Sequence, residues 1–119
     1  MASKTDITQQ KNDAISELHN KIVAAINLQK KLSITDPKQD ALSDVITHLM
    51  SIRNQLAVQE LNGGLHDAQL QVALDAIKKA TTELKAEAAK MKSVISFINN
   101  INGVLGASTK IVNVLKNGG

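Results

Sequence analysis

The fold is decided by the stretch ITDPKQDALSDVITHLMSIRNQLAVQELNGG (residues 34–64), in which one proline precedes and two glycines follow a long amphipathic run. Pro37 suits the first position of a helix, where its missing N–H costs nothing, and the residue before a proline avoids helical geometry. Gly63 and Gly64 favour a helix end, because glycine readily adopts the left-handed conformation that follows the last turn. The stretch therefore predicts a helix over 37–61 with a boundary on each side.

Apolar residues recur inside this helix with heptad spacing, at Leu42, Val45, Leu49, Ile52 and Leu56. Such an a/d pattern is typical of helices that pack side by side in bundles and coiled coils. Similar patterns on either side predict helices over 6–33 and 65–101 and a short helix over 104–115. Because the connections are short, we expect neighbouring helices to be antiparallel.

The next boundary lies at Asn102-Gly103, which we interpret as the end of the third helix. A third helix that continued further would overhang its partners. The alternative is one continuous helix, because the a/d register also runs through Leu105, Ser108, Val112 and Leu115. The sequence thus predicts a single all-α domain over 1–119, an antiparallel bundle of three long amphipathic helices plus a short C-terminal helical segment.

The composition excludes several classes of function. The chain has no cysteine, so disulfides, thiol catalysis and cysteine-ligated zinc are ruled out. Phe97 is the only aromatic residue and Arg53 the only arginine, which argues against a nucleic-acid or small-molecule site built on stacking. The formal charge is only +3. We therefore expect no nucleic acid, no small-molecule substrate and no cofactor.

Catalytic and metal-binding patterns are also missing from the sequence. No two of His19, His48 and His66 are spaced i, i+4, and no Glu-x-x-His occurs, so we expect no metal site. Histidine phosphotransfer domains are helical bundles of similar size, but the lysine and glycine of their motif do not follow His48. Glu87 interrupts the apolar seam of the third helix and is the one unusual carboxylate. We predict no catalytic residue, and a phosphotransfer-type protein based on His48 and Glu87 is the third hypothesis.

The C-terminal segment SVISFINNINGVLGAST (residues 93–109) carries no charge and is flanked by lysines. Apolar helical stripes are mostly core, so one interpretation is that this segment closes the bundle. The other is that it contacts a partner or an anionic membrane surface. Under that second interpretation the contact residues are Val94, Phe97, Ile98, Ile101, Val104, Leu105, Lys92 and Lys110.

The leading functional hypothesis is a non-enzymatic helical interaction module that forms a homo-oligomer or binds a helical protein partner. Long helices with an uncharged apolar tip resemble α-helical pore-forming toxin components. That resemblance implies the alternative, a membrane-active toxin component or exported effector that uses residues 93–109. The polar stretch Met1–Asp6 lacks the apolar region of a Sec signal peptide. We expect a cytoplasmic protein, or one exported by a route that does not use a Sec signal.

Overall fold

A computed structural model describes residues 2–118 of the chain. The protein is all-α, and four helices account for most of the described residues: α1 (Lys4–Lys30), α2 (Lys38–Val58), α3 (Ala68–Ala89) and α4 (Val94–Asn117). This confirms the predicted helical class. The fourth helix is longer than expected, however, with 24 residues against 22 for α3.

The four helices lie at the corners of a square in the order α1, α2, α4, α3. α1 packs mainly against α2 and α3, and α4 packs mainly against the same two helices. No Cα atom of α2 approaches one of α3 within 8 Å, so these consecutive helices are diagonal to each other. The expectation that the Asn62-Gly63-Gly64 connection joins neighbouring helices is therefore wrong, because residues 59–67 cross the end of the square.

Contacts along the helices fix their directions. Gln29 donates to the hydroxyl of Ser43 at 2.6 Å, and Lys11 donates to the carbonyl of Gln59 at 2.8 Å, so α1 and α2 run in opposite directions. Lys21 donates to the carbonyl of Met91 at 3.2 Å just beyond the end of α3, and Asp6 near the start of α1 lies beside Gln71 near the start of α3. α1 and α3 therefore run in the same direction. α2 and α4 are likewise parallel, because the backbone N–H of Asn62 donates to Leu115 at 2.8 Å.

The first turn is close to its prediction. α1 ends at Lys30 rather than at Ser33, and α2 begins at Lys38, with Pro37 as its N-cap residue. The carboxylate of Asp36 accepts the backbone N–H of Lys38 at 2.9 Å, as expected for an acid that satisfies a free donor at a helix start. Ser3 caps α1 through reciprocal bonds with Asp6.

The predicted break at Asn102-Gly103 is wrong, because both residues lie inside α4. The chain turns at residues 90–93 instead. Ser93 starts α4 with a capping box in which its side chain accepts the N–H of Ser96, and Ser96 in turn accepts the N–H of Ser93. Gly103 is compatible with the helix because Glu87 of α3 packs over it, within 2.4 Å of where a Cβ would lie. Its role is close approach of α3 and α4, not a helix end.

The core is aliphatic except for Phe97, and every helix contributes to it. In α4 the fully buried stripe contains Phe97, Val104, Ser108, Ile111 and Leu115. Over the first half of α4 the buried positions thus lie one residue before the predicted ones, at Phe97 and Val104. The predicted core residues Ile98, Ile101 and Leu105 lie beside the buried stripe and are only half-buried. The hydroxyl of Ser108 is buried without a hydrogen-bond partner.

The sequence of α4 is poorly suited to an isolated helix. Between Val94 and Asn117 it has nine β-branched residues, five asparagines and two glycines. These residue types have low helix propensity, and a glycine costs about 1 kcal/mol relative to alanine. The helical conformation of α4 therefore depends on its packing against α2 and α3.

Gly106 inside α4 and Gly118, the residue that caps its end, are expected to respond to alanine in opposite ways. Gly106 has open space where a Cβ would lie, so Gly106→Ala should raise the free energy of unfolding by about 1 kcal/mol. Gly118 has φ +84° and a Cβ there would lie 2.6 Å from Leu65, so Gly118→Ala should destabilise. Urea unfolding of both variants tests this pair, and equal shifts of the two midpoints would contradict it.

The helices are staggered along the long axis. The Cα trace measures 55 × 22 × 17 Å, whereas the longest helix, α1 with 27 residues, is only about 40 Å long. Lys21 reaches the end of α3, so the last turns of α1 extend beyond the α3–α4 turn. The α1–α2 turn consequently projects at one end of the protein.

Candidate functional site

The most unusual surface is formed by the outward sides of α2 and α4. The two flanks that face each other can be identified from the other contacts of each helix. α2 uses Gln39 and Ser43 toward α1, so its opposite flank, with Val45 and Ile52, faces α4. α4 uses Gly103 and Lys110 toward α3, and its opposite flank faces α2.

Outward residues beside this junction follow heptad spacing on both helices. On α2 the exposed positions lie three or four residues apart, and on α4 exposed polar residues alternate with half-buried apolar ones. We call this surface the α2–α4 face, and define it as Asp44, His48, Ser51 and Gln55 of α2 with Ile98, Asn102, Leu105, Thr109 and Lys116 of α4.

Charge is distributed unevenly between the two sides of the square. α1 and α3 together carry thirteen charged side chains, whereas α2 and α4 carry six. Two of those six lie at opposite ends of the α2–α4 face. Asp44 is near the start of α2 and Lys116 is near the end of α4, and these two helices are parallel. Between these two charged residues, the side chains of the face carry only amide, hydroxyl, imidazole or aliphatic groups.

The structure separates the eight predicted contact residues into three groups. Phe97 and Val104 are buried in the core, with 1 % and 0 % of their surface exposed, and they offer no surface to a partner in this fold. Val94, Ile98, Ile101 and Leu105 are half-buried and pack against the core with one side exposed. A contact through these four residues stays a prediction.

The two flanking lysines have different environments. Lys92 is exposed, at the turn before α4. Lys110 forms an ion pair with Glu83 of α3, with 2.8 Å between its ammonium nitrogen and a carboxylate oxygen. The hydrogen bond from Lys110, together with the positive charges of Lys110 and Lys79, holds the pKa of Glu83 below its usual range. Lys110 therefore helps to join α3 to α4 and is directed away from the α2–α4 face.

The residues of the catalytic hypothesis are not brought together. His48 is exposed on α2, where its Nδ1 lies 2.7 Å from the carbonyl oxygen of Asp44 and donates to it. Glu87 is half-buried between α3 and α4 and pairs with Lys90 at 3.1 Å. His19 lies on α1 and His66 in the connection before α3, both exposed. Within residues 2–118 no three histidine or acidic side chains are grouped closely enough to hold a metal ion.

Of the residues that define this surface, the sequence-based contact prediction includes Ile98 and Leu105 of α4 and none of α2. A signal was available, because α2 has only Arg53 as a charged residue between Asp44 and its end at Val58. The sequence did not predict that α2 packs beside α4, because only consecutive helices were expected to be neighbours.

Comparison with known proteins finds no matching family model, no similar curated protein and no similar solved structure. Among the described residues, no helix combines the length and the apolar character needed to cross a membrane.

Proposed function

We propose that the chain, a four-helix bundle with antiparallel α1–α2 and α3–α4 pairs, serves as a non-enzymatic interaction module and self-associates through the α2–α4 face. The observation that carries this proposal is the low charge of that face compared with the α1–α3 side. In a two-fold symmetric dimer the same patch meets itself, so any charge near the axis meets a like charge. A neutral central region avoids that repulsion.

The charges at the ends of the face favour one orientation of the two copies. If the partner runs in the opposite direction, Asp44 of one copy approaches Lys116 of the other at both ends of the interface. If the partner runs in the same direction, like charges are brought together instead. Opposite charges across an interface fix its register and suppress wrong arrangements.

The two helices that carry the face are long enough for a specific dimer. α2 and α4 have 21 and 24 residues, so they are about 31 and 36 Å long. Two adjacent helices of this length, each about 10 Å wide, present roughly 650 Å² in projection. Stable interfaces bury about 800 Å² of accessible surface per partner, and a corrugated helical surface has more accessible area than its projection.

The proposal is tested by placing new charge in the centre of the face. Ser51 and Asn102 are both exposed, so Ser51→Asp with Asn102→Asp should preserve the fold. We expect size-exclusion chromatography with light scattering to give twice the 12.7 kDa chain mass for the wild type and the single chain mass for the double variant.

A matched control adds the same charge to the other side of the square. Asn20→Asp on α1 with Thr82→Asp on α3 changes two exposed residues and should leave the dimer intact. A further pair tests the orientation: Asp44→Lys and Lys116→Asp should each weaken the dimer, and the combination should restore it. A wild type that stays monomeric at millimolar concentration would reject the dimer, and equal effects of the two double variants would reject this interface.

A further inference from the structure

We propose that one end of the protein, formed by the α1–α2 and α3–α4 turns, binds the surface of an anionic membrane. The first observation is Ile34 in the α1–α2 turn. It has 94 % of its surface exposed, the highest value among the large apolar side chains of the described residues. It lies on the turn that projects at the end of the long axis, so no other part of the fold covers it.

The residues around Ile34 are strongly basic. Lys30, Lys31 and Lys38 flank it, all three are exposed, and Asp36 is the single acid between them. Lysines near an anionic bilayer each raise the partition coefficient about fivefold. An exposed isoleucine adds an apolar group that enters the boundary between headgroups and acyl chains.

The second turn has the same composition. Lys90 and Lys92 lie in it, and Ile95 follows with 50 % of its surface exposed. Because α1 and α3 run in the same direction, the turns that follow them lie at the same end of the protein. Residues 30–38 and 90–95 thus bring five lysines, one aspartate and two exposed isoleucines to that end, with Lys90 paired to the adjacent Glu87.

The opposite end differs in charge. The connection between α2 and α3, residues 59–67, contains Glu60 and Asp67 and has neither lysine nor arginine. Lys4 and Lys116 lie at that end too, at the helix termini, so the contrast in charge is between the turns that connect the helices. Since the α1–α2 turn projects further, the long axis would be tilted when both turns touch one membrane.

Several features favour a lipid surface over a nucleic acid. Nucleic-acid sites typically add arginine or aromatic side chains that hydrogen-bond or stack, and neither occurs in the two turns. An exposed isoleucine adds little affinity for a phosphate backbone, but it adds affinity for the boundary between headgroups and acyl chains. This proposal is independent of the dimer, because the turns lie outside the α2–α4 face.

The test is co-sedimentation of the full chain with phosphatidylcholine vesicles that either contain or lack phosphatidylserine. We expect binding only to vesicles with phosphatidylserine, and weaker binding as salt is added. Ile34→Asp should lower the partition coefficient at least tenfold. The control is Val72→Asp, which makes the same charge change at an exposed β-branched residue, 58 % exposed, near the start of α3 at the other end.

A second pair separates local from overall charge. Lys31→Glu at the basic end should lower binding about tenfold more than Lys4→Glu, which makes the same change at the start of α1. Equal binding to both kinds of vesicle would overturn the proposal, and so would equal effects of Ile34→Asp and Val72→Asp. If the end binds any polyanion through charge alone, it should bind duplex DNA as tightly as vesicles, and Ile34→Asp should have no effect on vesicle binding. That result would also overturn the proposal.

Discussion

Replacing Phe97 with aspartate is expected to unfold the protein. Phe97 is the largest fully buried side chain, and Lys21 of α1 lies 5.9 Å above its ring. Truncating a buried phenylalanine to alanine costs about 3–5 kcal/mol, and a buried carboxylate adds the cost of desolvating its charge or of protonating it. Domains of this kind have about 5–15 kcal/mol of stability in total. Circular dichroism during heating should therefore show no cooperative transition.

Ile95→Asp is the matched control for this variant. Ile95 lies two residues earlier in the same helix but is half exposed, so its replacement should change the free energy of unfolding by about 1 kcal/mol or less. The comparison decides whether the uncharged segment of α4 acts as core or as a contact surface. A Phe97→Asp protein with the melting temperature of the wild type would remove Phe97 from the core.

Leu49→Asp is expected to have an effect of similar size. Leu49 is fully buried at the centre of the α2 seam, and Ile77 has the equivalent position on α3. Even Leu49→Ala should cost about 3 kcal/mol through the cavity it leaves. The charged variant, and Ile77→Asp likewise, should lack a cooperative urea transition, whereas Thr47→Asp on the exposed side of α2 should retain it. Full helicity and stability in Leu49→Asp would refute the seam assignment.

The sequence was most informative where a local signal and the periodic pattern agreed. Asp36 and Pro37 gave the α1–α2 boundary within three residues, because an X-Pro dipeptide acts on its own backbone. The seam of α2 was also correct, since Leu42 to Leu56 repeat every three or four residues and all lie in the core. The helical fold class follows from such local features.

The second half of the fold was harder to predict because it is determined by packing contacts between helices and not by local sequence patterns. Gly103 indicates a helix end by propensity, but in the structure it allows Glu87 to pack close to α4. The turn that does end α3, at residues 90–93, follows an alanine-rich run and contains neither glycine nor proline. The diagonal placement of α2 and α3 depends on how the α1–α2 and α3–α4 hairpins pack together, and no local sequence pattern predicts that packing.

The candidate surface was only partly predictable for the same reason. Ile98 and Leu105 could be identified as apolar residues of an uncharged segment, but the one-residue shift of the α4 register determines which side chains are covered. Phe97 and Val104 were consequently included among the contact residues although they are buried. His48, Ser51 and Gln55 join the surface only because α4 is adjacent to α2.

The low helix propensity of α4 has a consequence for synthesis in the cell. A ribosome completes α1, α2 and α3 before it reaches Val94, and the nascent chain at that stage has no element to cover the groove between α2 and α3. Leu49 and Ile77 remain exposed there to other unfinished chains. The last 24-residue helix cannot form in advance and dock as a rigid rod; it must acquire its helical structure on the groove itself. The time between the emergence of Ala89 and the docking of Leu115 is thus the interval in which the growing protein is most exposed to aggregation or to chaperone binding.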